Sequence, residues 1–124
     1  MIREEVMRWV GAYERGWRSE DRSAVEQLFT PEASYLRSPY AAPLEGHAAI
    51  AEFWVDDDED GSVFTMTAEP VAVEGQDAVV RVVVRYGEPV TQEYRDLWVL
   101  RFAGDGRVEH FEEWAYWPDK AFTT

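Results

Sequence analysis

The side chains best suited to proton chemistry are Asp96 and Glu113, with Tyr13 and Arg81 as groups able to stabilise a developing negative charge. Residues 92–117, QEYRDLWVLRFAGDGRVEHFEEWAYW, read as two period-2 strands about the turn residues Gly104, Asp105 and Gly106. Asp-Gly between β-rich runs is the strongest short hairpin signal, because a type I′ turn needs positive φ at both centre positions. With Asp105 and Gly106 at the centre, Leu100 faces Phe111, Trp98 faces Glu113 and Asp96 faces Ala115, on one side with Tyr94 and Trp117. Leu97 against Trp114 and Arg101 against His110 fall on the other side. A carboxyl group among rings keeps its proton unless a cation or donor compensates, which is how a general acid or base is made. The run 79–86 sends Arg81, Val83 and Arg85 to one face and Val80, Val82, Val84 and Tyr86 to the other. If residue 85 pairs with 92, Arg81 stands opposite Asp96. A one-residue shift turns it to the opposite face.

Other candidate chemistry is thinner. Residues 56–61, DDDEDG, match the first half of a calcium loop, but Thr67 stands where the bidentate Glu belongs and a β-rich run replaces the exiting helix, so no metal site is expected. His47 and His110 both read as structural. No Gly-rich phosphate loop, nucleophile elbow or HExxH run is present, and no cofactor is expected.

The elements that must position these groups follow from periodicity. Apolar residues at 2, 6, 9, 10, 13 and 17 make an amphipathic helix. Ser19, Glu20 and Asp21 offer capping oxygens for a second helix over about residues 22–29, which Pro31 ends. Tyr35 and Leu36 suggest a short strand, residues 38–46 a loop, and residues 47–55 a third helix with Ile50, Phe53 and Trp54 on one face. Four strand candidates follow at 62–74, 77–87, 90–103 and 107–117, so the pattern is α+β, with helices first and an antiparallel meander after.

Composition sets the outer limits. A chain of 124 residues suits one domain, 1–124, burying roughly two thirds of its unfolded surface. Hydrophobic content of 46%, aromatic content of 15% and six Trp point to a globular core or a lined cavity. A net charge of −13 makes nucleic acid and anionic membrane poor partners. The chain has no Cys, and its opening MIREEVMRW shows neither a signal-peptide run nor a spanning length, so a cytoplasmic protein is expected.

Taken together the chain resembles the nuclear transport factor 2-like superfamily, in its SnoaL-like and ketosteroid-isomerase-like branches. The likeness covers nearly the whole chain. It rests on the first-helix stripe through Tyr13, the run 21–29 followed by Pro31, Glu32, Ala33, Ser34 and Tyr35, then Pro39 and Tyr40, the run Gly46, His47, Ala48, Ala49 and Ile50, and residues 97–117. The resemblance implies a cone-shaped curved antiparallel sheet enclosing three N-terminal-half helices, an internal, mostly apolar pocket, and often a homodimer on the outer sheet face. Enzyme chemistry transfers poorly. Tyr13 falls where ketosteroid isomerases keep an oxyanion tyrosine, but Ser38 stands where their general base precedes a Pro-aromatic pair, and Trp98 where their second oxyanion donor lies.

Two functions are therefore expected. One is a binding protein for a small apolar or aromatic molecule, lined by Tyr13, Trp17, Tyr35, Tyr40, Trp54, Trp98 and Phe111. The other is a cofactor-free hydrolase, isomerase or cyclase in which Asp96 or Glu113 moves a proton and Tyr13 or Arg81 stabilises charge. A filled core serving as an interaction domain is the bland alternative. Leu97, Val99, Trp114 and Tyr116 on the outer face predict a homodimer.

Overall fold

A computed structural model describes residues 1–56 and 63–119. The acidic run after Asp56 that half-matches a calcium loop lies outside them. In chain order the elements are α1 (Arg3–Arg18), α2 (Ser23–Leu28), β1 (Phe29–Leu36), β2 (Leu44–Glu45), α3 (Gly46–Asp56), β3 (Phe64–Glu74), β4 (Asp77–Tyr86), β5 (Gln92–Phe102) and β6 (Val108–Tyr116). The strands form one six-stranded sheet in the order β2-β1-β6-β5-β4-β3, antiparallel throughout except for the parallel β1–β6 pair. The sheet is curved and unclosed, with the helices against its inner face; this is the α+β order read from the patterned segments, in the cone that the family resemblance implies.

The apolar stripe of α1 buries Val6, Trp9, Val10, Tyr13 and Gly16, spacings of three and four that keep one helical face on the sheet. Its entry is closed by Glu5, whose carboxylate accepts the Ile2 N–H at 3.1 Å. Ser19 caps the end of α1, its hydroxyl donating to the Arg15 carbonyl at 2.9 Å, and it is Asp21 that receives the Ser23 N–H (3.0 Å) and hydroxyl (2.6 Å) at the start of α2. The chain does not stay irregular after Pro31. β1 already begins at Phe29, and an irregularity between Phe29 and Ser34 takes up Pro31, which has no N–H to give a ladder.

The meander is where register matters. Along β4, Ala78, Val80, Val82, Val84 and Tyr86 are buried, while Arg81 and Arg85 are exposed, so four valine-or-aromatic positions decide which face meets the helices. Tyr86 pairs with Gln92 and Arg85 with Glu93, not with residue 92. The intervening turn is closed by the Thr91 N–H on the Tyr86 carbonyl at 2.9 Å, with Gly87 at φ +90° and its missing Cβ facing Thr91 Oγ1 at 2.9 Å. Val82 consequently faces Asp96, and Arg81 faces Leu97.

The last hairpin reaches its expected register by another route. The Gly106 N–H bonds the Ala103 carbonyl at 3.1 Å, so Gly104 and Asp105 are the turn centre and Gly106 follows at φ +90°, the residue that reopens the strand. This pairs Phe102 with Val108. One extra residue, Glu109, is then absorbed between that pair and Arg101 with His110, after which Leu100 faces Phe111, Trp98 faces Glu113 and Asp96 faces Ala115.

Candidate functional site

Alternation on β5 and β6 sends Asp96, Trp98, Phe111 and Glu113 to the inner face, where α1 delivers Tyr13 and α3 delivers Trp54. Tyr13 is the hub. Its ring lies 4.8 Å from Trp98, 5.0 Å from Trp54 at 75°, and stacks on Phe111 at 5.6 Å. Phe111 stacks in turn on Tyr35 at 4.3 Å, and the Tyr13 and Tyr35 hydroxyls share a hydrogen bond of 2.8 Å. Trp98 Nε1 donates to Glu113 Oε2 at 3.3 Å. Asp96, 6% exposed, is the buried acid side chain among the described residues.

From this hub a run of rings leads outward along one end of the sheet: Tyr13 to Trp17 at 5.8 Å, Trp17 to Phe64 at 5.7 Å, Phe64 to Tyr86 at 5.6 Å, Tyr86 to Tyr94 at 5.8 Å and Tyr94 to Trp117 at 5.6 Å. Trp117 is 40% exposed, whereas Trp98 and Phe111 are fully buried. Arg18 lies over the Phe64 ring at 3.9 Å, a cation set on the aromatic face. The sequence reading missed Tyr86 because it turned β4 over by one residue, though period-2 alternation from Val80 through Tyr86 carried the signal; it gave no face to Phe64, which pairs with Tyr86 from β3.

Two expected site residues lie elsewhere. Arg81 is on the outer face, its guanidinium 2.7 Å from Glu69 across the β3–β4 pair, both groups more than half exposed. The pairing of Tyr86 with Gln92 puts it there. Tyr40 is 97% exposed on the loop between β1 and β2, beside a surface groove of about 400 Å³ that it shares with Arg37, Trp114, Tyr116 and Trp117. Two prolines, Pro39 and Pro43, flank it in a segment that never turns back to the sheet interior. The remaining expected residues, Tyr13, Trp17, Tyr35, Trp54, Trp98 and Phe111, are brought together inside with Asp96 and Glu113.

The two histidines are occupied elsewhere. His47 Nε2 donates to the Phe29 carbonyl at 2.7 Å, tying the start of α3 to β1. His110 lies 3.3 Å from Glu112 on the outer face, where Glu112 also accepts the Trp114 indole N–H. Among the described residues no cluster of His, Asp and Glu is arranged to hold a metal ion.

The SnoaL-like domain model matches residues 10–111, most of the chain and nearly all of the fold just described. The chain belongs to the SnoaL-like family. Solved structures agree on the fold. RV0760c from Mycobacterium tuberculosis, in complex with estradiol-17beta-hemisuccinate, is 14% identical over 93% of this chain and 95% of its own, with a TM-score of 0.68. A ketosteroid isomerase-like protein from Erwinia carotovora atroseptica is 18% identical over 94% and 97%, TM-score 0.66. The epoxide hydrolase/cyclase-like enzyme SalBIII, of pyran ring formation in polyether salinomycin, is 16% identical over 89% of each chain, TM-score 0.65. No curated protein matches the sequence.

Proposed function

We propose that this SnoaL-like protein, acting as one domain over residues 1–124, binds a small, largely apolar molecule between α1, α3 and the inner face of the sheet. The carrying observation is the ring run from Tyr13 to Trp117, fully buried at one end and part-exposed at the other, with two carboxyl groups beside it. Aromatic walls with few polar groups suit such a ligand. That RV0760c takes a steroid ester on the same fold supports the reading. Titration with neutral fused-ring compounds such as 2-ethylnaphthalene, followed by calorimetry, should give saturable binding with a negative heat-capacity change. No binding up to about 1 mM, the weak end of specific affinity, overturns it.

The burial of Asp96 among rings favours a second reading, a cofactor-free hydrolase, isomerase or cyclase. Asp96 or Glu113 would move the proton and Tyr13 would stabilise the developing charge; Arg81, on the outer face, takes no part. In that case Asp96→Asn abolishes turnover of a cognate substrate while leaving its binding and the melting temperature nearly unchanged.

Assembly is part of the proposal. Leu97, Trp114 and Tyr116, each about 40% exposed, form with half-buried Val99 an apolar patch on the outer face of β5 and β6. A homodimer through this face covers it. Light scattering at micromolar concentration should give twice the chain mass, and Trp114→Glu should halve it. We place the protein in the cytoplasm: its surface is acidic and its chain free of cysteine, with no helix among the described residues long and apolar enough to cross a membrane.

A further inference from the structure

Resting on the binding reading above, we propose that Trp54 is the donor that orients the ligand, and that the ligand brings it a neutral acceptor oxygen, a carbonyl or an ether. Buried indole N–H groups nearly always have acceptors. Here Trp9 Nε1 donates to the Leu28 carbonyl at 2.9 Å and Trp98 Nε1 to Glu113 at 3.3 Å. Trp54 departs from this. It is 3% exposed, and its Nε1 is buried with no hydrogen-bond partner among the described residues.

The ring cannot easily turn away to find one. Tyr13 stands edge-on to it at 5.0 Å, and a Cβ placed on Gly16 would meet its Cζ3 at 3.1 Å, so α1 holds the indole by close contact. The same Tyr13 touches Trp98 at 4.8 Å, two residues along β5 from Asp96, which makes Trp54 part of the wall of the proposed site. The Trp54 N–H offers a buried water one donor, where a water needs two to four polar partners. The acceptor suited to this donor is therefore a ligand atom. With Asp96 and Glu113 on the same face, a neutral oxygen fits better than an anionic one.

A matched pair of probes tests this: 2-acetylnaphthalene and 2-ethylnaphthalene have the same shape and differ by a carbonyl in place of a methylene. The wild-type protein should bind the ketone about tenfold tighter than the hydrocarbon, the worth of one hydrogen bond. In Trp54→Phe that preference should vanish, both probes then binding alike whatever the smaller ring does to their common affinity. The ratio within each variant is insensitive to any change in stability. Should the variant not fold, the wild-type indole spectrum decides: the Trp54 Hε1 resonance should move downfield on adding the ketone and not on adding the hydrocarbon. A ketone preference that survives Trp54→Phe, or a Trp54 resonance indifferent to the carbonyl, overturns the inference and leaves the binding reading intact. Failure of both probes to bind overturns the two together.

Discussion

At one end of the inner face Trp9, Phe29, Phe102 and Phe111 pack mostly edge to face, at centroid separations of 5.6 to 6.3 Å, and none is more than 6% exposed. At the other end Trp17, Phe64, Tyr86, Tyr94 and Trp117 follow one another at almost the same separations, yet Trp117 is 40% exposed and two of the rings carry hydroxyls. The ring chemistry is shared; what differs is closure. At the base, α2, β1 and the turn of the last hairpin close over the rings, with Trp9 Nε1 spent on Leu28 and Arg107 reaching the Glu26 carbonyl at 3.3 Å. At the rim the outermost ring, Trp117, stays part-exposed. Equal ring content thus gives a covered end and a part-exposed end, which composition alone cannot distinguish.

The base should therefore answer to stability measurements and the rim to binding. Phe102, 1% exposed, supplies the largest expected effect: Phe102→Ala should cost ~3–5 kcal/mol in denaturant unfolding, from lost transfer energy and the cavity left behind. A cost near that of a surface change would mean that the base is not sealed.

Gly16 tests the boundary between the two ends. A Cβ there would meet Ala24 Cβ at 2.8 Å and the Trp54 ring at 3.1 Å, so α1 and α2 must part or the indole must move. Gly16→Ala should destabilise by ~1–3 kcal/mol in spite of alanine's better helix propensity. It should also displace the Trp54 indole resonance, which a purely local strain in α2 would not do. Smaller again is the rim: Trp117→Ala should cost about 1 kcal/mol or less in stability while weakening 2-ethylnaphthalene binding severalfold, the reverse of the Phe102 pattern.

Much of the inner face was legible in the sequence. The stripe of α1 and the alternation of β5 and β6 placed Tyr13, Asp96, Trp98, Phe111 and Glu113 on one side, because α1 has one apolar face and a paired hairpin keeps alternate residues together. The hairpin register survived a misplaced turn only because Glu109 offsets it, two one-residue differences that cancel. No such cancellation occurs between β4 and β5, where a five-residue connection in place of the expected one put Arg81 outside. The valine run was the better guide there, since burying Val80, Val82 and Val84 outweighs burying two arginines. Tyr40 was misplaced for a different reason: an aromatic residue between prolines has no periodicity to say which way it faces.

The smallest expected effect concerns the polar cover of the base, at the turn of the last hairpin. Asp105 accepts the Arg107 N–H at 3.0 Å and Arg107 Nε at 2.8 Å, and these bonds, the backbone one foremost, hold its carboxyl below the ordinary value of 3.8. At the opposite end of β5 from this turn, Glu93 is held below 4.5, chiefly by the Arg85 hydrogen bond at 2.6 Å. Both groups bind a proton less readily folded than unfolded. Their contribution is thus complete above the unfolded value and is lost as pH falls through the folded one. Asp105→Asn keeps an oxygen for the Arg107 N–H, so the melting temperature at pH 7 should change little. Between about pH 5 and pH 3 the variant should lose less of its melting temperature than the wild type, because one group that must be protonated on unfolding is gone. Glu93→Gln should do the same without touching the base. An Asp105→Asn curve parallel to the wild type across that range would show that the Arg107 contacts do not persist in solution, and that the turn is held by its backbone and Gly106 alone.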